Sequence, residues 1–374
     1  MNALIAEFDS SSSQVSWASL HHARGSAEGT PRLLRSLWAG GADAAASYGH
    51  LWSDLLGESQ VWGATAPAAY LLSILVRDDK FGGDDKTLRE GTLVFFRELA
   101  LTVPSEVVRC SPVSSIVELV TSAPEQACGL VIPTLLGAEL SLIDDPSSRL
   151  ASCASTAAVA AVTTSECSFQ SERRMLIESL KARVHSAASS ADRAGALLDL
   201  GRIGENLSEF LSERDWGTRL AAALGSTDSS NPRVLDVLLD AARRSSELDA
   251  LLSPPGDSSW MTLPQLGGRR LPIVVAEEVC VRVQDLGLLV QPLISATKMT
   301  GAPGGYLVAR PYYRKFFANG FPAMGDASHY QMEIACLIAT SDEYWRQPGW
   351  QRFLAGLKLP TSRESWQNYC QLRG

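Results

Sequence analysis

The sequence lacks the motifs that usually indicate a catalytic or metal-binding chemistry. Its seven cysteines form no C-x-x-C pair, and it contains no P-loop, dinucleotide fingerprint, G-x-S-x-G or H-E-x-x-H motif. Ser295 and Lys298 form an S-x-x-K pair, but the S-D-N and K-T-G elements of the serine-acylating enzymes are missing. The sequence therefore predicts no catalytic residue and no cofactor, and it predicts that all the cysteines are reduced thiols.

Histidine is also scarce, with five in the chain. His21 and His22 are adjacent, whereas His50, His185 and His329 stand alone without the paired spacings that build a zinc site. We interpret them as separate core or surface residues, so no metal is expected.

Long apolar runs are scarce as well, and the 33 basic residues are outnumbered by 41 acidic ones. The longest near-apolar stretch, residues 127–143, is interrupted by Pro133 and Glu139, and the first residues, MNALIAEFD, lack the basic start of a secretory signal. We therefore expect no membrane span and a cytoplasmic location. A formal net charge of −8 gives no general attraction to phosphate backbones, which disfavours nucleic acid as a partner.

Proline placed shortly after Thr, Ser or Asn is a recurrent feature of the sequence. Proline fits a first helical turn because its missing N–H would have no partner there, and the preceding polar residue can cap that turn. Pro31, Pro67 and Pro112 each precede an apolar stripe of helical spacing and stand 36 and 45 residues apart. Asn231-Pro232 is the same combination of a capping residue and a proline, further along the chain. We expect helices to begin within about three residues of each of these prolines.

A second amphipathic helix is predicted after each of the first two starts, over residues 41–59 and 86–102. Two helices in a unit of about 40 residues are typical of a helical-hairpin solenoid. The sequence thus predicts an all-α fold, an α-solenoid whose C-terminal region diverges from the repeat.

The stretch GSAEGTPRLLRSLWAGGADAAASYGHLWSDLLGESQVWGATAPAAYLLSILV resembles the N-terminal part of a group of bacterial HEAT-repeat proteins. The resemblance covers about residues 15–105. It implies an interaction scaffold, and some large helical proteins of this kind are immunity proteins that neutralise secreted toxins. It carries over no catalytic residue.

The remaining chain keeps helical patterns without a clear period. We predict HEAT-like repeats in 1–125, divergent helical repeats in 126–252 and a helical C-terminal region in 260–374, with SPPGDSSW at 253–260 as the break. Two alternatives stay open. The alanine-rich residues 151–161 fit a tightly packed helix or a flexible loop, and residues 271–295 fit a buried helix better than a strand.

Cations and planar aromatic residues are concentrated after a glycine-rich turn at 301–305, a mixture typical of binding hot spots. The predicted partner-binding residues are Arg310, Tyr312, Tyr313, Arg314, Lys315 and Phe317. The alternative is that the aromatic residues are buried under a helix while the charges face solvent.

Three functions remain open from the sequence. The first is a noncatalytic scaffold that binds a protein, for instance a toxin, since an acidic inhibitor is attracted to a basic target. The second is a helical-repeat enzyme or nucleic-acid-binding protein that uses the 306–317 cluster, which a basic groove would favour. The third is a structural adaptor.

Overall fold

The structure, a computed structural model, describes residues 3–57, 60–165, 169–251, 263–299, 306–320, 327–347 and 349–371. Its regular elements in these ranges are twenty α-helices, one two-stranded hairpin and short 3-10 or π turns. The predicted all-α class is therefore confirmed. Among the described helices, none combines the length and the apolar character needed to cross a bilayer. Contacts divide the chain into two compact units, Met1–Ala188 and Ser189–Gly374.

The first unit contains the hairpin and nine of the described helices. The helices are α1 (Ala3–Ser13), α2 (Thr30–Ala39), α3 (Ala44–His50), α4 (Thr65–Leu75), α5 (Lys86–Thr102), α6 (Ile116–Thr121), α7 (Pro124–Leu140), α8 (Ser148–Thr164) and α9 (Gln170–Ser186). The strands β1 (His21–His22) and β2 (Gly25–Ser26) pair antiparallel, with His21 opposite Ser26. A π-helical turn, Leu51–Leu55, continues α3.

The second unit contains the other eleven described helices. They are α10 (Ser190–Ile203), α11 (Trp216–Gly225), α12 (Pro232–Arg243), α13 (Ser245–Leu251), α14 (Leu271–Arg282), α15 (Val290–Thr297), α16 (Tyr306–Phe316), α17 (His329–Thr340), α18 (Asp342–Arg346), α19 (Trp350–Gly356) and α20 (Arg363–Gln371). Within the described residues of both units, short 3-10 turns lie at Trp17–Ser19, Ser105–Val107, Ser208–Ser212, Pro264–Leu266 and Leu286–Leu289.

In the first unit, helices that do not follow one another directly in the chain pack together. α4 contacts both α2 and α7, while α5 contacts both α3 and α8. α2 also packs on α3, and α7 packs on α8. Contacts thus connect α2 to α4 and α4 to α7, and likewise α3 to α5 and α5 to α8.

The second unit is built from successive helix contacts. α11 packs on α10 and α12, and α12 in turn contacts α14 and α15. α16 lies against α14 and α15, and α17 pairs with α20.

Helices begin where the prolines predict in three of the four cases: α2 at Thr30, α4 at Thr65 and α12 at Pro232. Near Pro112 the prediction is wrong, because α6 begins only at Ile116. The Ser115 side chain accepts a hydrogen bond from the Val117 N–H at 3.2 Å, so the cap that starts this helix lies after the proline.

The polar residues before the prolines do not all act as caps. Asn231 does, since its Oδ1 accepts the Arg233 N–H at 3.0 Å. The Thr65 hydroxyl instead donates to the Leu55 carbonyl and accepts the N–H of Trp62, which precedes the helix. Thr30 is hydrogen-bonded to His50. These two threonines therefore tie neighbouring segments together.

The two segments left open by the sequence are both helical. The alanine-rich stretch lies in α8, where residues 150–162 are all buried, and residues 271–295 form α14 and most of α15. The predicted boundary between residues 125 and 126 falls inside α7, and the compact units instead divide after residue 188. The predicted break at 253–260 and the glycine-rich turn at 301–305 lie outside the described residues.

The cysteine prediction is wrong at one described position. Cys110 is disulfide-bonded, whereas Cys128, Cys153, Cys280, Cys336 and Cys370 are thiols that form no disulfide. No spacing pattern in the sequence marks Cys110, because a disulfide depends on which segments the fold brings together.

Candidate functional site

The aromatic residues predicted to contact a partner are part of the protein core. Tyr312 and Tyr313 have no exposed surface, and Phe317 is 2% exposed. The face of α16 that carries residues 308, 309, 312, 313 and 316 is buried, and α16 packs against α14 and α15. Rings held in this way cannot reach a partner, which removes the three aromatic residues from the predicted surface.

The cationic residues of the same cluster stay at the surface. Arg314 is exposed, and Arg310 and Lys315 are half-buried. Arg310 and Arg314 are four residues apart, so they lie on one face of α16. The predicted site is thus reduced to its charged residues.

A cluster of aromatic rings supports the Arg310 side chain. The Tyr313 ring lies 5.3 Å from that of Trp350, and Trp350 lies 5.4 Å from Phe353, measured between ring centres. Tyr344 stacks on Trp350 at 4.7 Å. The Arg310 guanidinium carbon lies 4.9 Å from the centre of the Phe353 ring, a cation–π contact. The core residues of α16 and α19 therefore fix the position of a surface cation.

Three arginines surround one pocket between α16 and α19. The pocket has a volume of about 470 Å³ and is lined by Arg310, Arg314, Gly349, Arg352, Phe353, Gly356 and Leu357. We name it the arginine pocket. No acidic side chain lines it, and within the described residues none of its three arginines forms an ion pair. The buried Nε of Arg310 has no hydrogen-bond acceptor there.

The arginine pocket is suited to binding an anion. A guanidinium presents a rigid fork of donors that matches a carboxylate or phosphate in a bidentate geometry. A buried donor without an acceptor costs free energy, which an incoming oxygen atom would recover. Among the described residues, the lining contains no carboxylate, histidine, cysteine or hydroxyl group.

The other charged residue of the cluster, Lys315, lies next to exposed apolar surface. Its Nζ is 3.5 Å from Oε1 of Gln284, in the segment that follows α14. Val281 and Leu288 flank this glutamine in the sequence and are 70% and 44% exposed. Single exposed apolar side chains are normal at protein surfaces, so these two residues do not define a binding site.

Sequence reasoning missed Arg352 and Phe353, which complete the arginine pocket. They lie on α19, far along the chain from α16, and neither belongs to a periodic pattern that predicts the contact. The only local sign is that Gly349 and Gly356 bracket this short helix and leave space beside the arginine.

The other candidates behave differently from one another. The Ser295 hydroxyl donates to the Arg243 carbonyl at 2.6 Å, and Lys298 is exposed, so the S-x-x-K pair is not arranged for acylation.

His22 and His50 were expected to stand apart, but their ring centres lie 5.1 Å from each other. Burial lowers the pKa of His22, and the neighbouring His50 lowers it further.

Comparison with known proteins gives this site no precedent: the chain matches no protein-family model and no curated protein sequence.

Proposed function

We propose that this protein is a noncatalytic, protein-binding helical scaffold whose arginine pocket receives an anionic group of its partner. The observation that carries the proposal is the set of three arginines around one pocket, without an acidic neighbour in the described residues. Arginine is enriched at the energetic centres of protein interfaces, where it is held by aromatic rings as Arg310 is by Phe353.

The helix contacts of the first unit support the scaffold part of the proposal. In HEAT-like repeats each helix packs on the equivalent helix of the next repeat. The contacts of α4 with α2 and α7, and of α5 with α3 and α8, follow that rule. We therefore propose that α2–α3, α4–α5 and α7–α8 form a short HEAT-like array, although α4 and α5 pack little on each other and the third pair begins at Pro124 instead of Pro112.

A nucleic acid is the second candidate, because the arginine pocket is basic despite the net charge of the chain. Two observations weigh against it. The rings that would stack on bases, Tyr312, Tyr313 and Phe317, are buried. A polyanion would also be repelled by the rest of a chain with a formal charge of −8, whereas a single acidic group on a protein would not.

A toxin as the protein partner stays a prediction from the sequence. That hypothesis depends on an acidic surface that attracts a basic target, and the arginine pocket has the opposite charge. A basic toxin would therefore have to contact another part of the chain. A toxin or secretion gene next to this one in the source genome would favour the immunity role.

The test is capture of the partner from the source cell with three forms of the full chain: wild type, the double variant Arg314→Ala with Arg352→Ala, and the control Arg346→Ala. Arg346 is a 78% exposed arginine of the same unit that does not line the arginine pocket. A protein enriched by wild type and control but not by the double variant is then purified and titrated. We expect the double variant to bind it at least about thirtyfold more weakly, near the usual hot-spot threshold of about 2 kcal/mol.

A single-stranded oligonucleotide is titrated in parallel. If the double variant loses oligonucleotide affinity while no protein depends on the two arginines, the site belongs to the nucleic-acid alternative. If neither ligand distinguishes the double variant from the control, the arginine pocket is not a binding site.

A further inference from the structure

His22, His50 and Asp54 come together in the first unit although they belong to different elements. His22 is on β1, His50 ends α3, and Asp54 lies in the π-helical turn. Each side chain offers one ligand atom, and these three atoms lie within 4.8 Å of one another. The cluster lies in the first unit, whereas the residues of the arginine pocket belong to the second.

The backbone around this cluster is firmly held. The Ala23 N–H donates to the Asp54 carbonyl at 2.9 Å, and the Ala64 N–H donates to the His21 carbonyl at 3.1 Å. These bonds attach the hairpin on both sides of His22. The turn that carries Asp54 is closed by the Leu56 N–H and the Leu51 carbonyl at 3.1 Å, an i to i+5 bond. Turns of this π type are rare and are found often at functional sites.

The hydrogen bonds of the cluster leave one position for a cation. His50 Nδ1 lies 2.7 Å from Asp54 Oδ2, and its Nε2 lies 3.1 Å from the buried Oγ1 of Thr30. The other Asp54 oxygen, Oδ1, is 3.0 Å from Nε of Arg24, whose side chain is 70% exposed. A single hydrogen therefore bridges His50 Nδ1 and Asp54 Oδ2. The exposed Arg24 side chain holds the other oxygen, Oδ1, in place.

We propose that His22, His50 and Asp54 bind one Zn²⁺, which takes the place of the hydrogen between His50 Nδ1 and Asp54 Oδ2. Imidazole and carboxylate are ligands that zinc prefers, and three protein ligands leave a fourth position for water. Two imidazoles bound tetrahedrally at Zn–N distances near 2.0–2.1 Å would have ring centres about 5 Å apart. His22 and His50 are 5.1 Å apart.

The surrounding groups are suited to the exchange. For a neutral His50 the hydrogen on Nδ1 moves to Nε2 by exchange with solvent, and for an imidazolium it leaves as a proton to the buffer. In both cases the Nδ1 lone pair binds the metal. His50 Nε2–H then donates to Thr30, because a zinc-bound histidine needs an acceptor for its other ring nitrogen. Asp54 Oδ1 keeps its contact with Arg24. His22 gives up the hydrogen bond that its Nδ1 accepts from the Arg24 N–H at 3.1 Å, because Nδ1 either binds the metal or takes the hydrogen that leaves Nε2.

The experiment uses the untagged full chain, freed of metal by a chelator, and titrates it with Zn²⁺ by calorimetry and with Co²⁺ by absorption spectroscopy. The variants are His22→Ala, Asp54→Asn and the control His185→Ala. His185 is an exposed histidine on α9 whose ring contacts only the Lys181 carbonyl among the described residues. Circular dichroism first checks that each variant is folded. If Asp54→Asn does not fold, the zinc affinity of His22→Ala alone tests the proposal.

We expect one Zn²⁺ per chain, a tetrahedral cobalt spectrum without thiolate charge-transfer bands, and at least about a tenfold loss of affinity in His22→Ala. His185→Ala should bind as wild type does. The proposal is overturned if excess Zn²⁺ does not bind, if thiolate bands assign the metal to cysteines, or if His22→Ala binds as tightly as wild type. In each of those cases the Thr30, His50 and Asp54 bonds only join segments of the fold.

Discussion

At the scale of single residues, Glu139 is the most unusual side chain of the first unit. It lies on α7, is 1% exposed, and its Oε2 has no hydrogen-bond partner in the described residues. Burial raises the pKa of its carboxyl group to about 8. The group therefore keeps its proton in the folded state at neutral pH, whereas it ionises in the unfolded chain from about pH 4.5 upwards.

This difference makes stability depend on pH in a direction that can be tested. Between about pH 4.5 and pH 8 the folded state binds one more proton than the unfolded state. The free energy of unfolding falls there as pH rises, by up to about 1.4 kcal/mol per pH unit. Glu139→Gln, which cannot ionise, should be more stable than wild type at pH 7.5, and its advantage should shrink toward pH 5. Urea denaturation across this pH range measures it.

The matched control for this measurement is Glu178→Gln, an exposed glutamate on α9. Its stability difference from wild type should be small at every pH of the series, because this side chain is exposed. A constant difference for Glu139→Gln would mean that the Glu139 carboxyl is solvated or paired in the folded protein.

At the scale of elements, helices α10 and α11 approach each other closely where two glycines meet. A Cβ placed on Gly201 would collide with the backbone of Gly225, the last residue of α11. The clash is with main-chain atoms, which cannot rotate away, so the two helices would have to separate.

Gly201→Ala is therefore expected to destabilise the protein by about 1–3 kcal/mol, the usual cost of overpacking. Gly137→Ala is the control. Gly137 is an exposed helical glycine on α7 with open space around its missing Cβ, so alanine there should gain about 0.5–1 kcal/mol. Chemical denaturation of both variants gives the comparison, and a Gly201→Ala variant as stable as wild type would show that the helices can move apart freely.

The elements also show which parts of the structure the sequence could predict. Proline positions and apolar stripes are local signals, and they located α2, α4 and α12 correctly. The helix starts near Thr30 and Thr65 were predicted correctly, but the hydrogen bonds of these threonines were not. Whether a hydroxyl group bonds to its own helix or to a neighbouring segment depends on which segments the fold places beside it.

The candidate functional site was less predictable than the helices. The sequence left open whether the aromatic residues of α16 bind a partner or belong to the core. In the structure they are buried. Arg352 lies beside Arg310 and Arg314 because α19 packs through Trp350 and Phe353. No local sequence pattern predicts this packing. The meeting of His22, His50 and Asp54 likewise results from docking a hairpin onto a helix end.

At the scale of the whole molecule, the disulfide at Cys110 bears on where the protein works. Disulfides persist mainly in oxidising compartments, so this bond opposes the predicted cytoplasmic location, which stays a prediction. Burial raises the pKa of Cys128 above its usual range and that of Cys280 to about 12, so these thiols react slowly in the folded protein.

A thiol count under denaturing, non-reducing conditions tests the redox state of the chain. One disulfide uses two of the seven cysteines, so five thiols should react, and all seven should react after reduction. Denaturation is needed because the buried thiols would be undercounted in the folded state. Seven reactive thiols without reductant would show that Cys110 is reduced and would remove the argument against a cytoplasmic location.

The burial of α8 has a consequence for how this chain can vary. A helix at a protein surface has a polar face where most substitutions are neutral, but residues 150–162 have no such face, since all thirteen are buried. Most of them are alanine, serine or other small residues, because α5, α7 and α9 all pack against this helix. Larger side chains would push these helices apart, and polar ones would lose water. Mutational tolerance along the chain should therefore fall to a continuous minimum over α8, without the periodic rise and fall that other helices show.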